Sequence, residues 1–324
     1  MHRLTLILSD LYLPAESVRE TLPDTMSLPS LAWLLRFSAA RSVGDWRRWL
    51  AGEHGAAALG EASPASALAA HLGALPGGAW IATPVSLEAR LDHVRLRDRG
   101  LLRLPVEQRQ LIRDAFARSF GPELALHDAG DRGFLLEGGP VPAAATKDPA
   151  RYLDSDIGAA LPAAGAAGEL RRLGAEIEMW LHSLPLNEQR EKTGHRRVTT
   201  LWLWGGGSSH VDLSGWRGRD RVHGADPWLR ALAGEHGLQD APSSFDELPH
   251  GDPVVELAPM SGTPEETLGA LENNWFAPLR AAIAAGKLTS LTLVANDKVF
   301  TVSARAGWQF WRPRRGWLVA LAKA

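Results

Sequence analysis

The sequence predicts an α/β fold in which a sheet is layered between flanking helices. Short apolar runs of strand length recur along it, at residues 4–8, 79–83, 201–204 and 289–294. Between them lie longer stretches with helical periodicity, of which Val106–Phe120 is the best marked. Strands interleaved with amphipathic helices cover both faces of a sheet, which is how α/β proteins bury their apolar surface.

Taken in order, residues 4–8 are the first strand, and the chain leaves it through Asp10. That places a carboxylate at the strand's C-terminal edge, where open α/β sheets bind their ligands. A helix starts at Pro29 and reaches Phe37, with Leu31, Leu34 and Leu35 on one face. Residues 46–50 and 65–72 are helical, and the turn Leu75-Pro76-Gly77-Gly78 closes the second before the strand at 79–83. In Val106–Phe120, Leu111, Ile112, Ala115 and Phe116 share a side, and Gly121-Pro122 stops the helix. Residues 138–168 are rich in Gly, Ala and Pro and hold no period; they mark an internal break in what otherwise reads as a single unit over 1–324. A helix from Glu169 to Leu184 precedes the strand at 201–204. Strands at 289–294 and 299–302 join around Asn296-Asp297 as a hairpin.

The chain has 324 residues, a formal net charge of -2 and no cysteine. Disulfides, thiolate metal centres and a cysteine nucleophile are thereby excluded. Balanced charge argues against a protein that wraps a nucleic-acid backbone. The apolar run at the N-terminus ends at Ser9-Asp10, short of the ~7–15 residues of a secretory core. No apolar run approaches the ~18–20 residues of a membrane span. The expectation is a cytoplasmic protein with no membrane contact. Thirteen tryptophans require burial or a contact surface.

Several polar groupings admit two readings. Gly205-Gly206-Gly207-Ser208-Ser209-His210 follows a strand, and its bare backbone N–H groups suit a phosphate; the same glycines suit a tight strand exit under close packing. Asn187 and Arg190 lie just beyond a helix, either to position a carboxylate or phosphate near that turn, or as a helix-end cap and a solvated charge. Asp92-His93 reads as a surface turn. Arg217, Arg219 and Arg221 form a basic run. Trp308, Trp311, Arg312, Arg314, Arg315 and Trp317 mix aromatic and basic character, as a protein-partner surface does, or a single-strand nucleic-acid platform, or a packed hairpin with wet arginines.

Three stretches resemble the archaeal-type cofactor-independent phosphoglycerate mutases and, more closely, their RpfE branch of regulatory proteins. The first runs from Glu178 through Leu184-Pro185-Leu186-Asn187, Arg190 and Gly194 into Leu201-Trp202-Leu203-Trp204-Gly205-Gly206-Gly207. Leu271-Glu272-Asn273-Asn274-Trp275-Phe276-Ala277-Pro278-Leu279, with Gly286-Lys287-Leu288 and Phe310-Trp311-Arg312 after it, is the second. The third joins residues 6–10 to Leu28-Pro29-Ser30-Leu31-Ala32-Trp33-Leu34. The resemblance implies an alkaline-phosphatase-like layered α/β core. Active members hold two divalent cations on clustered Asp and His and use a hydroxyl nucleophile.

Against that pattern, Asp10 matches the early aspartate, whereas Leu11 replaces the Gly that follows it. The nucleophile region corresponds to Ser42-Val43-Gly44-Asp45, with Gly44 where the Ser would stand; Ser42 and Asp45 serve only if the loop is shifted. The late Asp-His pair is missing, since Asp297 has no histidine after it. Asp10 is then vestigial, the active site degenerate, and no metal or other cofactor is expected. The resemblance implies a regulatory or adaptor protein with a protein partner, and a phosphorylated small molecule as a candidate ligand at Gly205, Gly206, Gly207, Ser208, Asn187 and Arg190. One alternative is an active phosphomutase or phosphatase with a rearranged Mn or Zn site at Asp10, Ser42 and Asp45. Another is a nucleic-acid-associated factor working through the Trp/Arg tail.

Overall fold

The computed structural model describes residues 3–12, 26–75, 77–90, 93–140, 146–153, 155–160, 168–207, 211–213, 215–258, 264–305 and 316–321. From the N-terminus the chain builds β1 (Arg3–Leu8), α1 (Pro29–Arg36), β2 (Ala39–Ser42), α2 (Trp46–Glu53), α3 (Ala57–Glu61) and α4 (Pro64–Leu72). Next come β3 (Ala79–Ala89), β4 (Val94–Leu101), α5 (Val106–Phe120), β5 (Ala125–Asp128), β6 (Phe134–Glu137) and β7 (Ser155–Asp156). Helices α6 (Gly168–Ser183) and α7 (Pro185–Lys192) lead into β8 (Thr200–Gly207), followed by β9 (Val222–His223), α8 (Leu229–Ala233) and β10 (Val254–Leu257). The chain closes with α9 (Pro264–Leu271), α10 (Ala277–Ala284), β11 (Ser290–Ala295), β12 (Lys298–Ser303) and α11 (Trp317–Leu321).

These elements form two compact units. One comprises Met1–Trp49, Arg219–Ala225 and His236–Ala324; the other, Leu50–Gly218 and Asp226–Glu235. The 138–168 stretch, where composition marks a break, falls wholly inside the second unit and carries β7.

The first unit has a six-stranded sheet in the order β2-β12-β11-β1-β10-β9. Strands β11, β1, β10 and β9 are parallel, and β12 and β2 continue the sheet antiparallel to their neighbours. The hairpin expected at Asn296-Asp297 is present, and both residues have positive φ, 51° and 59°. That is the backbone of a type I′ turn, which matches the twist of paired strands. Leu4, Leu6 and Leu8 of β1 pack with Leu31, Leu34 and Leu35 of α1 and with Trp275, Phe276 and Leu279.

Two sequence stretches that carry the family resemblance meet in this core. Residues Glu272–Phe276 form a π-helical turn between α9 and α10. The Glu272 carboxylate accepts hydrogen bonds from the Ser30 and Leu31 amides, at 2.6 and 3.1 Å, at the start of α1. Leu28, at the N-cap position, has no side-chain oxygen to offer, so a carboxylate distant in sequence satisfies the first N–H groups of α1 and meets the positive end of the helix dipole.

The second unit has an all-antiparallel sheet, β5-β6-β3-β4-β7, with β8 paired to β3. Its core joins Trp80 and Ala82 of β3, Ile112 and Phe116 of α5, and Leu173, Ile177 and Leu181 of α6. Among the described residues no helix is long and apolar enough to cross a membrane.

Candidate functional site

In the first unit, β1, β10 and β11 are parallel and in register, so their C-terminal ends share one sheet edge. Strand β2 runs the same way, because β12 reverses direction once on each side. Chain topology therefore gathers Ser9-Asp10, Ser42–Asp45, Glu256 and Asn296-Asp297 at the edge where α/β sheets place their ligands. Two hydrogen bonds tie these segments together. The Val43 amide donates to the Asp297 carbonyl at 2.9 Å, and the Tyr12 hydroxyl donates to the Asp297 carboxylate at 3.5 Å. Asp10 is buried here, at 4% exposure.

Glu256 is a member of this edge that the sequence reading passed over. It ends an apolar run, Pro253-Val254-Val255, much as Asp10 follows residues 4–8, and that pattern is the signal that would have found it. Its carboxylate is already engaged: Ser9 Oγ donates to one oxygen, and the Ala225 amide to the other at 2.8 Å. Asp45 is likewise engaged, accepting from the Arg47 amide at 2.9 Å as it starts α2. Ser42 ends an exposed edge strand. A two-cation centre needs several oxygen and nitrogen donors turned toward one point. Among the described residues no group of three or more His, Cys, Asp or Glu is placed to hold a metal ion.

The second unit separates residues that sequence spacing grouped. Asn187 and Arg190 lie on α7, a second short helix rather than an extended exit from α6. Asn187, 2% exposed, donates through Nδ2 to the Leu181 and Val198 carbonyls at 2.8 and 3.0 Å, and its Oδ1 accepts from the Val198 amide at 2.8 Å. Arg190 donates to the Arg196 carbonyl at 2.7 Å and to Gln108 Oε1. Burial pushes the Arg190 pKa down from its ordinary value. Both side chains serve the entry to β8, whereas the glycines form its exit. At ~3.3 Å per residue, the stretch from Val198 to Gly205 spans roughly 20 Å.

The glycines have a packing reason of their own. A Cβ on Gly206 would stand 2.5 Å from the Trp80 ring, and one on Gly205, where φ is +64°, would press on Pro64 at 3.1 Å. Trp80 is fully buried, so Gly206 opens the space that its indole fills. Ser208, together with Ser209 and His210, lies outside the described residues, as do Asp92 and the tail residues Trp308, Trp311, Arg312, Arg314 and Arg315. His93 sits in the β3–β4 connection, where its carbonyl accepts from the Arg90 amide at 2.8 Å. Of the basic run, Arg219 donates to the Asp252 carbonyl at 2.6 Å.

No family model matches the sequence, and no curated protein is significantly similar to it. Among solved structures, the chain is similar to a cofactor-independent phosphoglycerate mutase from Thermoplasma acidophilum. The identity is 17%, the match covers 93% of this chain and 89% of the mutase, and the TM-score is 0.37. It is also similar to the PH0037 protein from Pyrococcus horikoshii, at 13% identity over 93% of this chain and 87% of that one, with a TM-score of 0.43. Likeness at these scores does not bear on what the chain does.

Proposed function

We propose that this chain is a catalytically silent, phosphoglycerate-mutase-like protein that acts as a regulator or adaptor in the cytoplasm. The motif resemblance supplies the class. One observation supports a silent site: the carboxylates of Glu256 and Asp45, at the C-terminal sheet edge, accept hydrogen bonds from Ser9, Ala225 and Arg47. Gly205 and Gly206 take no part in this reading, because their missing side chains make room for Pro64 and Trp80. A rearranged phosphomutase or phosphatase is the competing reading, and the Val43–Asp297 bond favours it by bringing Ser42 and Asp45 to the edge that holds Asp10. Metal content after equilibration with Mn and Zn separates the two. The silent protein retains neither stoichiometrically and does not interconvert 2- and 3-phosphoglycerate. Two tightly held cations per chain, with a chelator-sensitive mutase or phosphatase activity, would establish the enzyme instead.

A further inference from the structure

The second unit holds a cavity of about 240 Å³ lined by β8 and by α6 from Leu170 to Glu178. Leu87, Ile157 and Trp202 give it apolar walls, and Glu178, Thr200 and Thr146 also line it. An apolar cavity of ~150 Å³ is enough to bind benzene, so this one has room for a ring and a short chain.

Its polar atoms are not symmetric in charge. Glu178 lines the cavity from an exposed position and accepts a hydrogen bond from the Thr200 hydroxyl; desolvation by its neighbours pushes its carboxyl pKa up, and that bond opposes the shift. The Thr146 hydroxyl oxygen is buried and has no partner among the described residues. Thr146 is held in place from its own backbone and its neighbour's. The Gly205 amide donates to the Thr146 carbonyl at 3.5 Å, and Trp202 Nε1 donates to the Lys147 carbonyl at 3.0 Å. Trp202 is itself fixed against Tyr152, with ring centroids 5.8 Å apart. Arg171 also lines the cavity, seven residues before Glu178 on the same helix and so ~10 Å away along its axis.

We propose that this cavity binds a small organic cation: a protonated primary amine on an aromatic or branched aliphatic body, its ammonium donating to Glu178 and Thr146 and its body lying against Leu87, Ile157 and Trp202. An ammonium has three donors and no acceptor, which suits one carboxylate and one hydroxyl oxygen. Charge-assisted bonds of this kind are about twice as strong as neutral ones.

The test uses three probes of one size on the full chain: 2-phenylethylamine, the neutral 2-phenylethanol and the anionic 3-phenylpropionate, each titrated by calorimetry and Trp fluorescence. The amine is expected to bind at least roughly tenfold more tightly than the alcohol, a ratio equivalent to ~1.4 kcal/mol. Glu178→Gln should erase that ratio while leaving alcohol binding intact, which also shows that the variant is folded. Thr146→Val should weaken the amine by a smaller factor. Amine affinity should rise with pH as Glu178 loses its proton. Equal binding of amine and alcohol, tighter binding of the propionate, or no saturable binding at millimolar concentration would each overturn the assignment.

Discussion

Asn187 is where a ligand-positioning residue and a structural one make the most different predictions. Replacing it with Ala removes three hydrogen bonds, to Leu181 O, Val198 O and Val198 N, all made by a buried side chain. A buried hydrogen bond contributes about 0.5–1.5 kcal/mol net, and a stranded buried N–H or C=O costs about 1–3 kcal/mol. The Leu181 carbonyl lies in the last turn of α6, and water that enters the opened site would soften that loss. The expected destabilisation is therefore ~3–4 kcal/mol. Asn187→Asp should be at least as damaging, because it keeps the acceptor for Val198 N–H but turns a carboxylate toward two carbonyls. Urea unfolding followed by far-UV circular dichroism reads the effect as a lower midpoint at unchanged slope. Hydrogen exchange should place the loosening at 181–200. If Asn187→Ala shifts stability by less than ~0.5 kcal/mol, as a surface substitution does, the backbone-staple account is wrong and a ligand role returns.

Two further substitutions test the packing of each unit. Glu272→Ala should cost about 2 kcal/mol, since two charge-assisted bonds to the start of α1 are lost, and Glu272→Gln should recover part of it; thermal melts of the three proteins give the comparison. Asp128 titrates below its ordinary value: burial raises its pKa, but the bond from Arg109 at 2.8 Å, the Gly130 amide at 2.9 Å and the charge of Arg230 outweigh it. A carboxyl whose folded pKa is depressed stabilises the fold above its unfolded value and loses that contribution as pH falls through the folded one. Asp128→Asn should thus melt below the wild type at neutral pH, with the gap closing in acid below the usual carboxylate range. A gap that stayed constant with pH would refute the charge pairing.

Long periodic elements were readable from sequence, and the reasons for the failures are local. Val106–Phe120 and the Asn296-Asp297 hairpin follow from patterning and turn chemistry alone. The sequence marks strand β3 only over residues 79–83, whereas the strand runs on through Pro84, which lacks an N–H and is rare in a central strand. The structure accommodates it by changing partners there: β6 pairs with Trp80, Ile81 and Ala82, and β4 pairs from Val85 onward. Strand β2 has no buried residue, so no apolar signal marks it. Strand β4 alternates arginine with Val94 and Leu96, a half-solvated pattern that charge disguises.

The candidate residues were harder, because the same polar side chain serves ligands and backbone alike. Between α7 and β8 the chain runs through residues 193–199 without regular structure, yet Val198 is fully buried. Buried backbone groups outside a helix or ladder must find partners. The Val198 amide and carbonyl find them in Asn187, and the Arg196 carbonyl in Arg190. An Asn and an Arg one helical turn apart ahead of a glycine-rich strand end therefore look like anion chemistry in one dimension, and act in three as substitutes for missing secondary structure. Sequence spacing could not separate these roles, because what decides between them is which end of β8 they face. By contrast Asp10 and Glu256 owe their shared edge to parallel register, so a carboxylate that ends each apolar run is a pattern visible without coordinates. Their use is not visible, since whether Glu256 turns toward a cation or toward Ser9 depends on a contact 247 residues away in the chain.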